Sequence, residues 1–461
     1  LLALLSQDRV PERVDQLVQM GVAQPVPARD ELLFLQSLMH EACYQSLLKS
    51  VRQRYHGLFA QNLTQRFAAW AAQNPAVVAH HYLLSANPEE AVPYLVQSAL
   101  RSLACGALEE AKEACVRGLE LLASLEPDHP HQSLRLPLLT LQGSAWIGLR
   151  GYAAPEVEEC YQQAYLICQA VGDSLEVYPV LAGLWVLYLV QGKLALTDEL
   201  SERLMAITGE THHPFHRISL ATRGQSHFWQ GRLQLAREHL EQAVAHYRTN
   251  QATGQSLAFL QTEPSIASAS YLAYCLMLLG DSPASDRWMA QARSWAVELD
   301  HPHTLAHTLC FEGLIYLTES KIAEALPVVL ELVEVSERNA FPLWSANAQV
   351  HLGICQLAQG NLEGARTLQS GIQSGQATGA QLGSTWMMAQ LAQVVAGGGD
   401  VEQAQQILDQ ALTRAQDHGE GWFWPELLRL RAQLAGGDES LLSQAQTLAE
   451  EQGGVWFLRR L

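Results

Sequence analysis

Apolar residues recur along most of this chain at three- and four-residue spacing, the period of a helix with one buried face. The stretch from 401 shows it cleanly, with Val401, Ala404, Leu408, Ala411 and Ala415 on a single stripe. Asp400 stands where an N-cap belongs, Gln403 follows three residues on, and Gly419 lies just past the last turn as a C-cap. Other helical stretches, such as 346–358 and 181–190, are apolar on most faces. That is the pattern of a helix sandwiched between its own partner and the next repeat. The alternation predicts helices in pairs, the first interior and the second outer.

The pairing has a period. A small residue recurs in the first helix of each unit at Gly143, Gly183, Gly224, Ala273, Gly313 and Gly353, at intervals of 40, 41, 49, 40 and 40. Turn residues keep the same beat at Gly106, Gly151, Gly192, Gly231, Gly280, Ser320, Gly360, Gly399 and Gly437. Five positions after many of these stands an alanine, as in Gly106/Ala111, Gly231/Ala236, Ser320/Ala325, Gly360/Ala365 and Gly399/Ala404, where close helix approach excludes a larger side chain. Loops between units recur at Val171-Gly172-Asp173, Thr208-Gly209-Glu210, Thr253-Gly254-Gln255, Asp300-His301-Pro302, Arg338-Asn339-Ala340, Thr378-Gly379-Ala380 and His418-Gly419-Glu420. An all-α solenoid of about eight helical hairpins is the expected fold.

The small residue, the glycine turn and the alanine five residues later resemble the tetratricopeptide repeat, in a longer variant of about forty residues, over roughly residues 90 to 461. Such solenoids serve many partners, so the resemblance implies an architecture more than a function.

The first seventy residues break the period. Val10 to Met20 reads as a short helix, 21–26 and 32–35 as two extended pieces around the turn Pro27 to Asp30, and Leu38 to Trp70 as helix. Helix, hairpin and helix suggest a winged-helix-like segment, giving expected domains at 1–72 and 73–461. The residues Phe34, Glu41, Ala42, Tyr44, Ser46, Leu47, Leu48, Arg52, Arg54 and His56, with Ala79-His80-His81-Tyr82 and Glu90-Ala91 later, are similar to the segment that closes the ATPase core of bacterial STAND-type signalling ATPases. The family's usual histidine is Gln36 here. The resemblance implies an upstream ATPase, often joined to a cyclase or a kinase, with the repeats as sensor or scaffold.

Composition narrows the function. A chain of 461 residues with 48% hydrophobic residues has ample material for packed cores. Asp and Glu number 47 against 29 Lys and Arg, a net charge of −18, which argues against a surface built to neutralise phosphates and so against nucleic acid as a partner. The longest near-apolar run, Val180 to Val190, falls short of the ~20 residues a spanning helix needs, so no membrane partner is expected. The opening Leu1-Leu2-Ala3-Leu4-Leu5 is unlike a signal peptide and reads as the start of a piece of a longer protein. Eight cysteines without a Cys-x-x-Cys pair fit buried free thiols in a reducing, cytoplasmic setting; Cys160 and Cys168 lie about 12 Å apart along one predicted helix, too far to bridge.

Candidate chemistry is sparse. The sequence holds no Gly-x-x-x-x-Gly-Lys-Ser/Thr loop, and Gly397-Gly398-Gly399 falls in a linker with no strand before it. Ser46 and Lys49 have the spacing of a serine–lysine pair without its companion motifs, and read as a helix-surface coincidence. His303 and His307 share a face at i and i+4, which a divalent metal can use, but no glutamate follows as a zinc hydrolase requires; with His301 they read as a solvated helix start, and His212, His213 and His216 carry less still. No catalytic, cofactor-binding or metal-binding residue is assigned. Aromatic residues recur at Trp146, Trp185, Trp229, Tyr274, Tyr316, Trp344, Trp386 and Trp424, most of them expected to pack between repeats. Trp185, Tyr188, His227, Trp229, Tyr316 and His351 are the candidates for an inner groove that docks a protein or peptide partner of basic or apolar character, with a small-molecule effector as a further expected ligand. The expected function is a non-enzymatic interaction and sensor module regulating an upstream ATPase or its output domain. The alternative is a free-standing adaptor that binds peptide segments in its groove.

Overall fold

The computed structural model describes residues 10–21, 23–25, 32–34, 37–125, 129–152, 154–171, 177–209, 213, 215–245 and 260–461. They divide into two compact units, Leu1–Leu138 and Leu139–Leu461. The expected turn Pro27 to Asp30, Gln36, His212 and the loop residues Gly172, Asp173, Glu210 and Thr253 to Gln255 lie outside the described residues.

Unit 1 opens with α1 (Val10–Gln19), a hairpin of β1 (Ala23–Pro25) and β2 (Leu32–Phe34) paired antiparallel with Ala23 opposite Phe34, and α2 (Ser37–Ser46). The single helix expected over 38–70 is three: α2, α3 (Lys49–Arg66) and α4 (Ala68–Gln73). The breaks fall at Leu48, whose backbone is extended (φ −57°, ψ 144°), and at Phe67 (φ −123°, ψ 41°). Next come α5 (Pro75–Leu83), a 3-10 turn at Pro88–Ala91, and the hairpin of α6 (Val92–Ala104) and α7 (Leu108–Ala123). Helix α8 (His129–Arg150) begins in unit 1, where Leu138 packs on Gly118.

Unit 2 continues with α8 paired to α9 (Pro155–Val171), then α10 (Tyr178–Val190) with α11 (Leu194–Thr208), α12 (His216–Trp229) with α13 (Leu233–Val244), and α14 (Pro264–Leu278) with α15 (Ser282–Leu299). It ends with α16 (Pro302–Thr318) and α17 (Ile322–Arg338), α18 (Pro342–Ala358) and α19 (Glu363–Ala377), α20 (Ser384–Gly397) and α21 (Val401–His418), α22 (Trp424–Leu434) and α23 (Glu439–Gln452), and a last turn α24 (Val455–Leu458). From α10 on each first helix packs on its partner, α8 meets α9 where Gly143 faces the Tyr161 ring, and α12, α14, α16 and α18 also pack on one another in succession. Every residue of α14 is buried, whereas α21 buries only Ala404, Leu408, Ala411 and Ala415. The fold is an all-α, TPR-like helical repeat.

The recurrent small residues sit where helices meet. A Cβ at Gly183 would stand 2.5 Å from the Tyr161 ring, and one at Gly224 would stand 2.7 Å from Leu240. The alanine five residues past the turn is fully buried at Ala111, Ala236, Ala325 and Ala404. In the α18–α19 hairpin the register moves by one, because Gly364 rather than Ala365 takes the buried contact. Asp400 caps α21 by accepting from Gln403 N at 3.0 Å, and Gly419 closes it in the left-handed region (φ 69°), as the sequence pattern predicts. The turns between first and second helices are likewise left-handed, at Ser320 (φ 59°) as at the glycines. All eight cysteines are free, six buried as expected but Cys43 and Cys105 exposed.

Candidate functional site

The first helices of unit 2 turn one face toward a common interior. There they leave a cavity of about 160 Å³, walled mainly by rings and aliphatic side chains. Trp185 comes from α10, Trp229 from the end of α12, Tyr271 from α14, Phe311 from α16, His351 from α18 and Trp386 from α20. One register explains three of these positions and adds Thr222. Thr222, Tyr271, Phe311 and His351 each precede by two the recurrent small residue, at Gly224, Ala273, Gly313 and Gly353, and all four line the cavity; a Cβ at Gly224 or Gly353 would meet the second helix at Leu240 or Leu368, and one at Gly313 would meet His351 of the next first helix as well as Val329 of the second. Two residues along a helix is a rotation of about 200°, so a residue two before the helix–helix contact points away from the partner helix.

Two loops close the wall. Gln381 N and Leu382 N donate to Val190 O at 2.8 and 3.2 Å, and Gly421 N and Trp422 N donate to Trp229 O at 2.9 and 3.2 Å. The loops after α19 and α21 therefore rest on the ends of α10 and α12. Trp422 is fully buried there, with its ring 5.4 Å from Trp229 and 5.3 Å from Tyr274. The loop turns Trp422 and Phe423 inward, while Trp424, one of the recurrent aromatics, is half-buried at the start of α22.

Most polar atoms of the wall are already engaged. Trp185 donates to Ser226 Oγ at 2.9 Å, Trp229 to the Tyr271 hydroxyl at 2.9 Å, and Trp344 to His303 Nε2 at 3.0 Å. His303 Nε2 accepts that bond, so its proton sits on Nδ1, 3.1 Å from Thr262 Oγ1. Trp422 and Thr385 both donate to the buried carboxyl of Glu420, at 3.0 and 2.6 Å, and burial pushes the Glu420 pKa up. His307 lies nearly parallel to Phe311 at 4.7 Å. Burial drives His307 down to about 3 and His351 to about 4, so both rings are neutral at pH 7. Trp386 Nε1, His307 Nδ1 and His351 Nδ1 have no hydrogen-bond partner.

Of the six sequence candidates, Trp185, Trp229 and His351 line this cavity. The other three lie elsewhere. Tyr188 is half-buried under Lys193, whose Nζ is 5.1 Å from the ring. His227 is buried 5.3 Å from His239, and burial and Arg223 lower it to about 4. Tyr316 is half-buried and packs on the cluster around Leu309 and Trp344. The run at 301–307 is not a solvated helix start: His301 caps α16, while His303 and His307 turn inward. Among the described residues no three His, Cys, Asp or Glu side chains are grouped to hold a metal. Ser46 Oγ donates to Cys43 O at the end of α2.

Unit 1 has a smaller cluster of its own. The Tyr44 hydroxyl lies 2.8 Å from His56 Nε2, and His56 Nδ1 lies 2.7 Å from His81 Nδ1. No helix of the described residues is long and apolar enough to cross a membrane.

No known protein family matches the sequence. A curated protein of Rhizobium meliloti (strain 1021), itself uncharacterised, is 22% identical over 453 residues, covering 94% of this chain and 43% of that protein, so the chain spans less than half the length of this relative. Among solved structures, the sensor-bearing STAND protein of Pyrococcus horikoshii aligns with 81% of this chain and 59% of its own at 12% identity, but with a TM-score of 0.36. That likeness is too loose to carry weight. A Rap protein complexed with competence and sporulation factor aligns over 76% of this chain and 100% of its own, at 12% identity and a TM-score of 0.52, a likeness of fold alone and one that agrees with the TPR-like repeat built above.

Proposed function

We propose that this chain is a non-enzymatic sensor and interaction module that regulates another part of a longer signalling protein, an upstream ATPase or its output domain. The observation that carries the reading is the closure of unit 2 on itself, in which loops after α19 and α21 hydrogen-bond the ends of α10 and α12. A repeat array touches only its neighbours by default, so its curvature is soft. Contacts between distant repeats give it a closed state distinct from an open one, and anything that binds the two unequally shifts their balance. The solved Rap protein carries a bound factor on a repeat fold, and protein or peptide partners are proposed here on the same ground. The residues shared with the STAND-type segment, gathered at Tyr44, His56 and His81, support an ATPase as the regulated neighbour.

A free-standing adaptor holding peptide in an open groove has less support, because the inner face of unit 2 is roofed by its own later loops. The purified chain should neither hydrolyse ATP nor form cyclic nucleotide. In the longer protein, deleting residues from about 90 onward should raise basal output or abolish its stimulation. Unchanged basal and stimulated output would refute the regulatory reading.

A further inference from the structure

We propose that the central cavity of unit 2 is a binding site for a small, uncharged molecule of one or two aromatic rings that carries a hydrogen-bond acceptor. The inference stands on the cavity alone and does not require the regulatory reading.

Size sets the first limit. A cavity of about 160 Å³ is of the order of the engineered apolar cavity of ~150 Å³ that takes up benzene, so one ring or a small fused pair fits and a peptide does not. Charge sets the second. No Asp, Glu, Lys or Arg lines the space, and the histidines there are held neutral by burial. A charged ligand would leave water and find no counter-charge. The wall sets the third: Trp185, Trp229, Tyr271, Phe311, Trp344 and Trp386 offer faces and edges from six different helices or helix ends, which suits an aromatic ring more than a flexible aliphatic chain.

The acceptor follows from the wall's hydrogen bonds. The indole N–H groups of Trp185, Trp229, Trp344 and Trp422 each have a protein acceptor. Trp386 alone among the tryptophans of the wall has none, although the residue is only 2% exposed. A buried donor without a partner is costly, and a ligand oxygen or ring nitrogen placed beside it relieves that cost. Ligand binding would also join α10 and α12 to α18 and α20, across the seam that the loops after α19 and α21 already close.

The probes are acetophenone, ethylbenzene and benzoate, which share a ring and differ in acceptor and charge. With the full 461-residue chain, isothermal titration calorimetry should show acetophenone binding saturably near one per chain, with a rise in Tm. Ethylbenzene should bind roughly five- to tenfold more weakly, the ratio of one net hydrogen bond, and benzoate not detectably. Trp386→Phe keeps the ring and removes the N–H, so it should erase the difference between acetophenone and ethylbenzene while leaving ethylbenzene affinity within about twofold. Ala267→Leu, on the cavity wall, should abolish both. Circular dichroism identifies the folded variants, and the Trp386→Phe comparison stands if Ala267→Leu fails to fold. No saturable binding of either neutral probe to the folded chain, equal binding of benzoate, or discrimination that survives Trp386→Phe would each overturn the proposal.

Discussion

Replacing Gly353 by alanine should destabilise unit 2, although alanine is the better helix former. In an exposed helix interior the exchange gains about 1 kcal/mol. At Gly353 the added Cβ would stand 2.5 Å from Leu368 N, 2.7 Å from Gly364 O and 2.9 Å from Leu368 Cα. All three are backbone atoms, so no side chain can rotate away. Ordinary Cβ contacts begin near 3.4 Å, and α18 and α19 must therefore separate by 3.4 − 2.5 = 0.9 Å at this point. A gap of 0.5–1 Å forfeits roughly a quarter to a half of each dispersion contact along the seam. That places the gross cost at or above the usual ~1–3 kcal/mol of overpacking, and the net loss at about 2 kcal/mol. Gly375 on the same α19 supplies the control, since its Cβ would meet only Ala346 Cβ at 3.8 Å, and Gly375→Ala should gain about 0.5–1 kcal/mol. Urea titrations of the two variants should move in opposite directions from wild type. Gly364→Ala meets Gly353 O at 2.5 Å, so the double variant should lose less than the sum, both side chains being relieved by one separation. A Gly353→Ala chain as stable as wild type would refute the close-contact reading.

Acid should destabilise the fold through its buried histidines. The folded pKa values of His307 and His351 lie below the ordinary 6.5, so their stabilising neutrality is complete above pH 6.5 and lost as pH falls toward 4, by about 1.4 kcal/mol per pH unit for each. Urea midpoints at pH 7, 6 and 5 for wild type and His307→Phe should converge on acidification; parallel curves would exclude His307 as a cause. Ala340 holds a left-handed backbone (φ 51°), so Ala340→Gly should raise stability by up to about 1 kcal/mol in a thermal melt, and a lower Tm would contradict it. Glu420→Gln keeps an acceptor for Thr385 and Trp422 and should cost less than Glu420→Ala, which strands two buried donors at roughly 1–3 kcal/mol each; equal losses would mean the donors find other partners.

The architecture was legible because its signals are local. A glycine turn, an alanine five residues on and a small residue in the first helix each answer to one hairpin, and the α21 caps at Asp400 and Gly419 are where the pattern put them. The cavity was only half legible. Trp185, Trp229 and His351 line the cavity, whereas Tyr188, His227 and Tyr316 have the same chemistry on other faces of their helices, and residue type alone does not tell the faces apart. The register that decides this, two residues before the small one, is present in the sequence at Thr222, Tyr271, Phe311 and His351. It becomes readable only once the small residue is known to sit at a helix–helix contact. Trp422 had no such signal, since it sits in a loop whose path is set by Trp229 O, nearly two hundred residues upstream.

That loop also explains a difference among the turns of unit 2. A Cβ at Gly151 would stand 3.2 Å from Thr378, at Gly192 3.3 Å from Gln381, at Gly231 2.9 Å from Gly421 and at Gly280 2.8 Å from Val455. The turns of the first four hairpins thus bear on loops that follow the sixth, seventh and eighth. At Gly360, Gly399 and Gly437 the same Cβ would meet nothing within 4 Å, and at the remaining turn the residue is Ser320, left-handed without being glycine. Glycine in the early turns meets two demands, a positive φ and a close approach, under 3.0 Å at Gly231 and Gly280 and tight at Gly151 and Gly192, whereas the later turns meet only the first. A repeat array held by neighbour contacts alone would impose the same demand at every turn. The asymmetry is what closure of unit 2 on itself requires, and it sets the four early glycines apart as the turns that meet the later repeats.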